Sequence, residues 1–153
     1  MTTNEARWLD DDERRAWDPF IGLLLKLPHA LDAAVRKRTG LTHFEYAVVS
    51  SLSEAEERTR TMSELAEFAN ASLSRLSHVV AKLEERGLVR RSTCPTSARV
   101  TLATLTDEGM AVVVEAAPQY VAAVRALVID ALEPAQLAHL AGISSRLLEN
   151  LSS

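Results

Sequence analysis

Residues 61–105 hold the pattern that most constrains the fold. Thr61 and Glu64 have the Thr-x-x-Glu spacing of a capping box, which predicts the start of a short helix. Turn and cap residues at 70–72 precede a second helix, which Gly87 ends. The apolar residues of this second helix recur every three or four positions and predict one buried stripe: Leu76, Val79, Val80 and Leu83. Its opposite side is left with small, polar and basic residues.

A β-hairpin is predicted directly after the second helix. Residues 88–92 and 99–105 have the composition of strands, and residues 94–97 between them are rich in turn formers. Helix, turn, helix and hairpin in this order predict a winged helix-turn-helix. In that arrangement the second helix enters a DNA major groove while its inner stripe packs on the other helices. The alternative is a helical bundle with a hairpin and a solvated charged face.

The charge distribution is uneven along the chain, although the net charge is only −4. Residues 58–101 carry a balance of +4, whereas residues 1–57 and residues 102–153 carry −4 each. A basic centre between acidic flanks suggests a polyanion-binding module held by an acidic scaffold. Chance scatter of charges explains this feature equally well when it is taken alone.

Two helices are predicted before this basic centre. Residues 11–37 form the first helix, in which Pro28 predicts a kink or a break because proline lacks a backbone N–H. Thr42 and Glu45 make a second capping box, which begins a helix that ends before a polar loop at residues 53–60. The first helix has one apolar stripe, formed by Trp17, Phe20, Leu24, Leu27, Leu31 and Val35.

Two further helices are predicted after the hairpin. Asp107 begins a long helix that Thr106 caps, with a bend at Pro118, and Pro134 stands at the start of the last helix. The last helix has a stripe of Leu137, Leu140, Ile143, Leu147 and Leu151. The predicted fold class is therefore mostly α with a small β-hairpin wing. Residues 41–106 form a winged helix-turn-helix DNA-binding region, and residues 1–40 with residues 107–153 form a helical dimerisation region.

Several functional classes lack supporting residues. Cys94 is the only cysteine, so no internal disulfide can form, and we expect a cytoplasmic protein. No His-x-x-x-His or Cys-x-x-Cys spacing predicts a metal site, and no glycine-rich loop or nucleophile-and-base spacing predicts a cofactor or an enzyme. No apolar run approaches the roughly 20 residues of a membrane span, and the N-terminus is unlike a signal peptide.

Several short motifs resemble the MarR family of transcription regulators. Residues 61–66 (Thr-Met-Ser-Glu-Leu-Ala) are similar to the start of that family's first DNA-motif helix. Residues 83–91 are similar to the end of the recognition helix and the first wing strand, and residues 94–99 with residues 105–109 are similar to the wing and its exit. Residues 7–10 and 15–17 resemble the start of a subset of the family. The order and spacing of these motifs cover nearly the whole chain.

The wing departs from the family's pattern. The resemblance implies an acidic residue where this chain has Ser97, and that acid orients the wing arginine through an ion pair. Its absence puts the geometry of the wing in doubt, although Arg99 is still present to contact DNA. Cys94 lies near Arg90, Arg91 and Arg99 in sequence, which would favour a thiolate for redox sensing. Peroxide-sensing members carry their cysteine in the first helix, so a plain wing residue is the favoured interpretation.

The residues expected on DNA fall into three groups. Small and basic residues of the second helix reach base edges, a lysine and an arginine meet phosphates, and the wing arginine reaches the adjacent minor groove. The base-edge residues are Ser74, Arg75, Ser77 and His78. Lys82 and Arg91 are assigned to phosphates and Arg99 to the wing. Thr61 and Ser72, at the helix starts, complete the predicted DNA-binding set.

We further expect a homodimer that represses transcription. The apolar stripes of the end helices are too long for one domain of this size to cover. A two-fold dimer would place two recognition helices one DNA turn apart, about 34 Å, and would read a pseudo-palindrome. The alternative is a helical interaction protein on the same fold that does not bind DNA.

A small aromatic or phenolic effector is a partner that the resemblance implies. Such ligands bind between the dimerisation helices and the DNA-binding lobe of the family. The residues that would line the pocket here combine aromatic walls with a few polar tips: Trp17, Phe20, Leu24, His43, Phe44 and Tyr120. The alternative is that these residues are hydrophobic core.

Overall fold

Side-chain caps fix the first turns of the helices in the computed structural model, which describes residues 6–152. The predicted capping boxes of Thr42 with Glu45 and of Thr61 with Glu64 are both present. Two further boxes were not predicted: Asp10 with Glu13 caps the first helix, and Glu133 with Gln136 caps the last one. In chain order the helices are α1 (Asp11–Thr39), α2 (His43–Ser53), α3 (Met62–Phe68), α4 (Leu73–Glu85), α5 (Asp107–Val124) and α6 (Pro134–Leu151).

Three antiparallel strands form the wing and its base. They are β1 (Thr59–Thr61), β2 (Val89–Cys94) and β3 (Ser97–Leu105), and β3 lies in the middle of the sheet. The predicted hairpin and the predicted fold class, mostly helical with a small wing, are confirmed. The loop predicted at residues 53–60 is wrong in part, because a short 3₁₀ turn and β1 occupy its second half. β1 exists because Thr59–Thr61 pairs with a strand more than 40 residues away, which no local pattern records.

The structure differs from the sequence prediction at Pro28 and adds a π-helical segment that was not predicted. α1 continues through Pro19 and Pro28 without the break that Pro28 suggested. The long helix after the hairpin passes into one π-helical segment, Arg125–Ile129, before the chain turns into α6. The combined stretch Asp107–Ile129 is long and apolar enough to cross a membrane by length and composition alone, and only 11% of its apolar window is buried. In this chain the same stretch packs against α1.

The hydrophobic core lies inside the winged region and under the first part of α5. The inner stripe of α4 is buried at Leu76, Val80 and Leu83, and Val79 is half-buried against the same core. Gly109 joins α5 to this core, since a Cβ atom there would lie 2.2 Å from the Leu88 carbonyl oxygen. Among the described residues of α6, none is buried. The core thus fixes α4 relative to the wing, while the C-terminal helix projects from it.

Candidate nucleic-acid interface

The outer face of α4 presents the predicted base-reading residues to solvent. Burial of the inner stripe leaves Ser74, Arg75, His78 and Lys82 exposed, and Ser77 half-buried on the side of the wing. The Ser72 hydroxyl accepts the Arg75 backbone N–H at 3.1 Å and caps the helix start. The helix therefore offers a row of small side chains flanked by basic ones, which suits close approach to base edges.

A cleft of about 380 Å³ separates α4 from the wing and the start of α3. It brings together four of the predicted DNA-binding residues, which are Thr61, Ser77, Arg91 and Arg99. The cleft is open, and two guanidinium groups line it together with hydroxyl groups. Such a lining suits a phosphate backbone, because arginine and hydroxyl donors bind phosphate oxygens.

An ion pair that the sequence did not predict joins α4 to the wing. The Glu84 carboxylate accepts the Arg91 backbone N–H at 2.7 Å and the Arg91 guanidinium at 3.1 and 3.3 Å. These hydrogen bonds hold the pKa of Glu84 below its ordinary value. Arg91 was assigned to a phosphate, but its guanidinium is engaged by Glu84 in this structure. The only signal in the sequence is a glutamate seven residues before an arginine across Gly87.

The opposite flank of α4 contacts the turn between α1 and α2. The Arg75 guanidinium lies 4.1 Å from the centre of the Phe44 ring. Near the other end of α4, the Arg86 guanidinium donates to the Thr39 carbonyl oxygen at 2.7 Å. Phe44 was predicted as a pocket residue and Arg75 as a base reader. The structure shows that they contact each other.

The predicted effector residues are only partly brought together. His43 stacks on Tyr120 with ring centres 5.6 Å apart, and Tyr46 lies 4.6 Å from the same ring. Trp17 precedes Asp32, which contacts His43, by fifteen residues or about 22 Å of helix. Phe20 and Leu24 lie on the same exposed half of α1 as Trp17. Within one chain the six residues do not form one pocket.

Buried polar atoms mark the cluster around His43. Its backbone N–H donates to the Asp32 carboxylate at 2.5 Å. Within the described residues, the His43 Nδ1 and Gln119 Oε1 atoms are buried without a hydrogen-bond partner. Burial lowers the pKa of His43, and the Asp32 carboxylate offsets part of that effect. The imidazole is therefore favoured in its neutral form near pH 7.

Comparisons with known proteins identify the family of this chain. A sequence profile of the MarR family matches residues 41–101. The crystal structure of Sco3205, a MarR family transcriptional regulator from Streptomyces coelicolor in complex with DNA, is 40% identical in sequence. The match covers 95% of this chain and 92% of Sco3205, with a TM-score of 0.92. The chain belongs to the MarR family.

Two further structures extend the MarR comparison. AbsC, another MarR family transcriptional regulator from Streptomyces coelicolor, is 36% identical over 96% of this chain and 99% of its own, with a TM-score of 0.90. Sco5413 from the same organism is 23% identical over 94% of this chain and 97% of its own, with a TM-score of 0.77, and shares the fold. None of the curated proteins compared with the chain matches it significantly.

The wing of this MarR-family chain lacks the acid expected at Ser97. In the described part of the chain, Arg99 makes no ion pair, whereas Arg91 is held by Glu84. The hairpin nevertheless forms, with a register shift between Thr93 and Cys94. The Cys94 thiol lies 3.3 Å from the Thr96 hydroxyl, and hydrogen bonds with Thr96 lower its pKa. The neighbouring arginines that the sequence suggested are not the source of this shift.

Proposed function

We propose that this MarR-family regulator is a homodimeric repressor that binds duplex DNA through α4. The observation that carries the proposal is the exposed polar and basic face of α4 beside the wing cleft, in a chain 40% identical to a regulator solved with DNA. The second helix of a helix-turn-helix lies in the major groove, where base pairs present distinct donor and acceptor patterns. Ser74, Arg75, Ser77 and His78 then face base edges.

The phosphate contacts follow from the cleft and from the flank of α4. Lys82 is exposed one turn after His78, and Arg99 lines the cleft from the wing. Thr61 lies in the same cleft, and Ser72 caps α4 beside it. Arg91 can also reach a phosphate, because Glu84 accepts hydrogen bonds from only two of the five guanidinium N–H donors. We expect the protein to act on DNA in the cytoplasm.

Unpartnered apolar side chains support the homodimer. Trp8 is 86% exposed, and Leu151 at the other end of the chain is 80% exposed. Ile143 and Leu147 on α6 are 57% and 41% exposed. Exposed apolar side chains in such numbers are typical of a surface that another chain covers. A two-fold dimer would present two α4 helices to successive major grooves.

The proposed effector is a small aromatic acid or phenol at the seam between α1, α2 and α5. The stacked rings of His43 and Tyr120 and the unpartnered His43 Nδ1 atom support it. Binding there would release the DNA. A thermal-shift screen of aromatic acids tests this, with His43→Ala as the variant at the seam and Trp17→Ala, about 22 Å of helix away on α1, as the control. Hits that stabilise the wild type and His43→Ala equally contradict the pocket.

Salt-dependent binding tests the DNA proposal directly. Affinity for a duplex should fall steeply with salt, because each neutralised phosphate releases counterions. Lys82→Ala should lower the slope of log affinity against log salt by about one for every sequence.

Arg75→Ala should relax selectivity at one base pair by about 1–3 kcal/mol. Lys26→Ala, on exposed α1, is the matched control for Lys82. Binding that does not respond to salt would favour the interaction-protein alternative.

A further inference from the structure

The recognition helix α4 is held along both flanks, and the two flanks differ. On the wing side, Glu84 joins α4 to β2 through Arg91. On the other side, α4 touches residues 39–44, which connect α1 to α2. We call residues 39–44 the junction. The wing side lies wholly inside the predicted DNA-binding region, whereas the junction spans the boundary between the first dimerisation helix α1 and that region.

Arg86 holds the first end of the junction. Its guanidinium donates to the Thr39 carbonyl oxygen at 2.7 Å. This oxygen belongs to the last turn of α1, where carbonyl groups lack helical partners and carry partial negative charge. The Thr39 side chain is itself fixed, since its hydroxyl donates to the Val35 carbonyl at 2.7 Å and accepts the Leu41 N–H at 3.2 Å. Gly40 turns the chain in a left-handed conformation, with φ of 70°.

Arg75 holds the second end of the junction. Its guanidinium lies on the Phe44 ring at 4.1 Å, which is cation–π contact. Eleven residues separate Arg75 from Arg86, so the two lie on one side of α4 about 16 Å apart. Each of these two guanidinium groups contacts one end of the junction. A guanidinium that stacks on a ring keeps its in-plane N–H groups free, so Arg75 can rest on Phe44 and still donate to a base.

The junction is also tied to the helical ends of the chain. His43, next to Phe44, stacks on Tyr120 of α5 and donates through its backbone to Asp32 of α1. The junction therefore links α4 to α1 and α5 through polar and ring contacts, in addition to the hydrophobic core that these helices share.

We propose that the junction is a clamp that sets the orientation of α4 on DNA, with Arg86 and Phe44 as positioning residues. This inference rests on the proposed binding of duplex DNA by α4. Arg86 acts on α1 and makes no phosphate contact, and Phe44 acts by holding Arg75. The clamp therefore contributes to selection of sequence and leaves the general attraction to phosphates unchanged.

Binding to two duplexes across a salt series tests the clamp. The first duplex is one that the wild-type protein selects from a random-sequence pool, and the second is its scrambled version. Arg86→Gln and Phe44→Leu should each lower the ratio of selected to scrambled affinity by roughly tenfold, from a ratio that is normally thousands or more. The salt slope on the scrambled duplex should stay at the wild-type value.

Conservative variants and a matched control show whether Phe44 and Arg86 act by positioning α4 or only through side-chain size and charge. Phe44→Tyr keeps the ring face and should restore the wild-type ratio, and Arg86→Lys should restore part of it. Arg36→Gln removes an exposed charge from the last turn of α1 and should change neither quantity. Phe44→Leu should add nothing to the effect of Arg75→Ala, since both remove one contact.

Two binding results overturn the clamp. A salt slope that falls by about one in Arg86→Gln would make Arg86 a phosphate contact instead. An unchanged affinity ratio in both variants would also overturn it. A wild-type protein that binds no duplex would refute the DNA proposal. Hydrogen exchange of α4 amides without DNA then decides the clamp alone: exchange in Arg86→Gln must be faster than in Arg36→Gln, and equal exchange refutes it.

Discussion

The winged region and the helical ends of this chain both contain helices with a regular apolar stripe, but the stripe is buried in the winged region and exposed in the last helix. In α4 the stripe of Leu76, Val80 and Leu83 is almost completely enclosed. In α6 an equally regular stripe has no buried member, and Ile143 is 57% exposed. Outside residues 31–116, no described residue is buried. Regular spacing therefore predicts a helix in both regions, but it does not say whether the partner of the stripe lies in the same chain.

The largest expected effect comes from charging the α6 stripe. Replacing Leu140 and Leu147 by Asp should convert a dimer into a monomer, because two buried carboxylates would lack partners. Loss of the second half-site should lower DNA affinity by at least about 100-fold. Sedimentation gives the mass, and circular dichroism should show that the winged region stays folded.

Ala138→Asp is the control for the α6 stripe, since it puts a charge on the other side of the same helix. A stable wild-type monomer at micromolar concentration would contradict the dimer. So would a doubly charged variant that still sediments as a dimer.

Adding one methyl group at a glycine in each region tests how tightly that region is packed within the chain. Gly109→Ala should lower the free energy of unfolding by about 1–3 kcal/mol, because the new Cβ atom meets the Leu88 carbonyl at 2.2 Å. Gly142→Ala on α6, with nothing within 4 Å in this chain, should raise it by about 0.5–1 kcal/mol through helix propensity.

Urea titration at one protein concentration measures both glycine variants. A strongly destabilising Gly142→Ala would show that a partner chain approaches α6 closely at that residue. A neutral Gly109→Ala would contradict the tight contact between α5 and the winged core.

The smallest expected effect concerns His43, which lies at the seam between α1, α2 and α5. Burial lowers the pKa of His43 in the folded protein below the unfolded value. Above the unfolded pKa both states hold a neutral imidazole. As pH falls through it the unfolded state takes up a proton first, so stability declines. His43→Gln should reduce this decline in melting experiments between about pH 7 and pH 5.

His139→Gln, on the exposed side of α6, is the control for His43. A decline in stability that is identical in the wild type and in His43→Gln would show that other groups cause it. A wild-type protein that becomes more stable as pH falls would reverse the sign and contradict the buried neutral imidazole.

Sequence alone determined the features that depend on neighbouring residues. The capping boxes of Thr42 with Glu45 and of Thr61 with Glu64 join residues three apart, so a short motif contains the whole interaction. The stripe of α4 and the turn of the wing are local in the same sense. Together they were enough to predict the winged helix-turn-helix. The family was predicted from the resemblance of short motifs such as residues 61–66 and 83–91.

Tertiary structure decided every contact between residues far apart in the chain. β1 exists because Thr59–Thr61 meets β3, and Arg75 rests on Phe44, 31 positions earlier. The bond from Arg86 to the Thr39 carbonyl spans 47 positions. The predicted effector set failed to converge in one chain for the converse reason. Trp17 and His43 are both suited to line a pocket for an aromatic ligand. However, about 22 Å of helix α1 separates Trp17 from Asp32, the residue that His43 contacts.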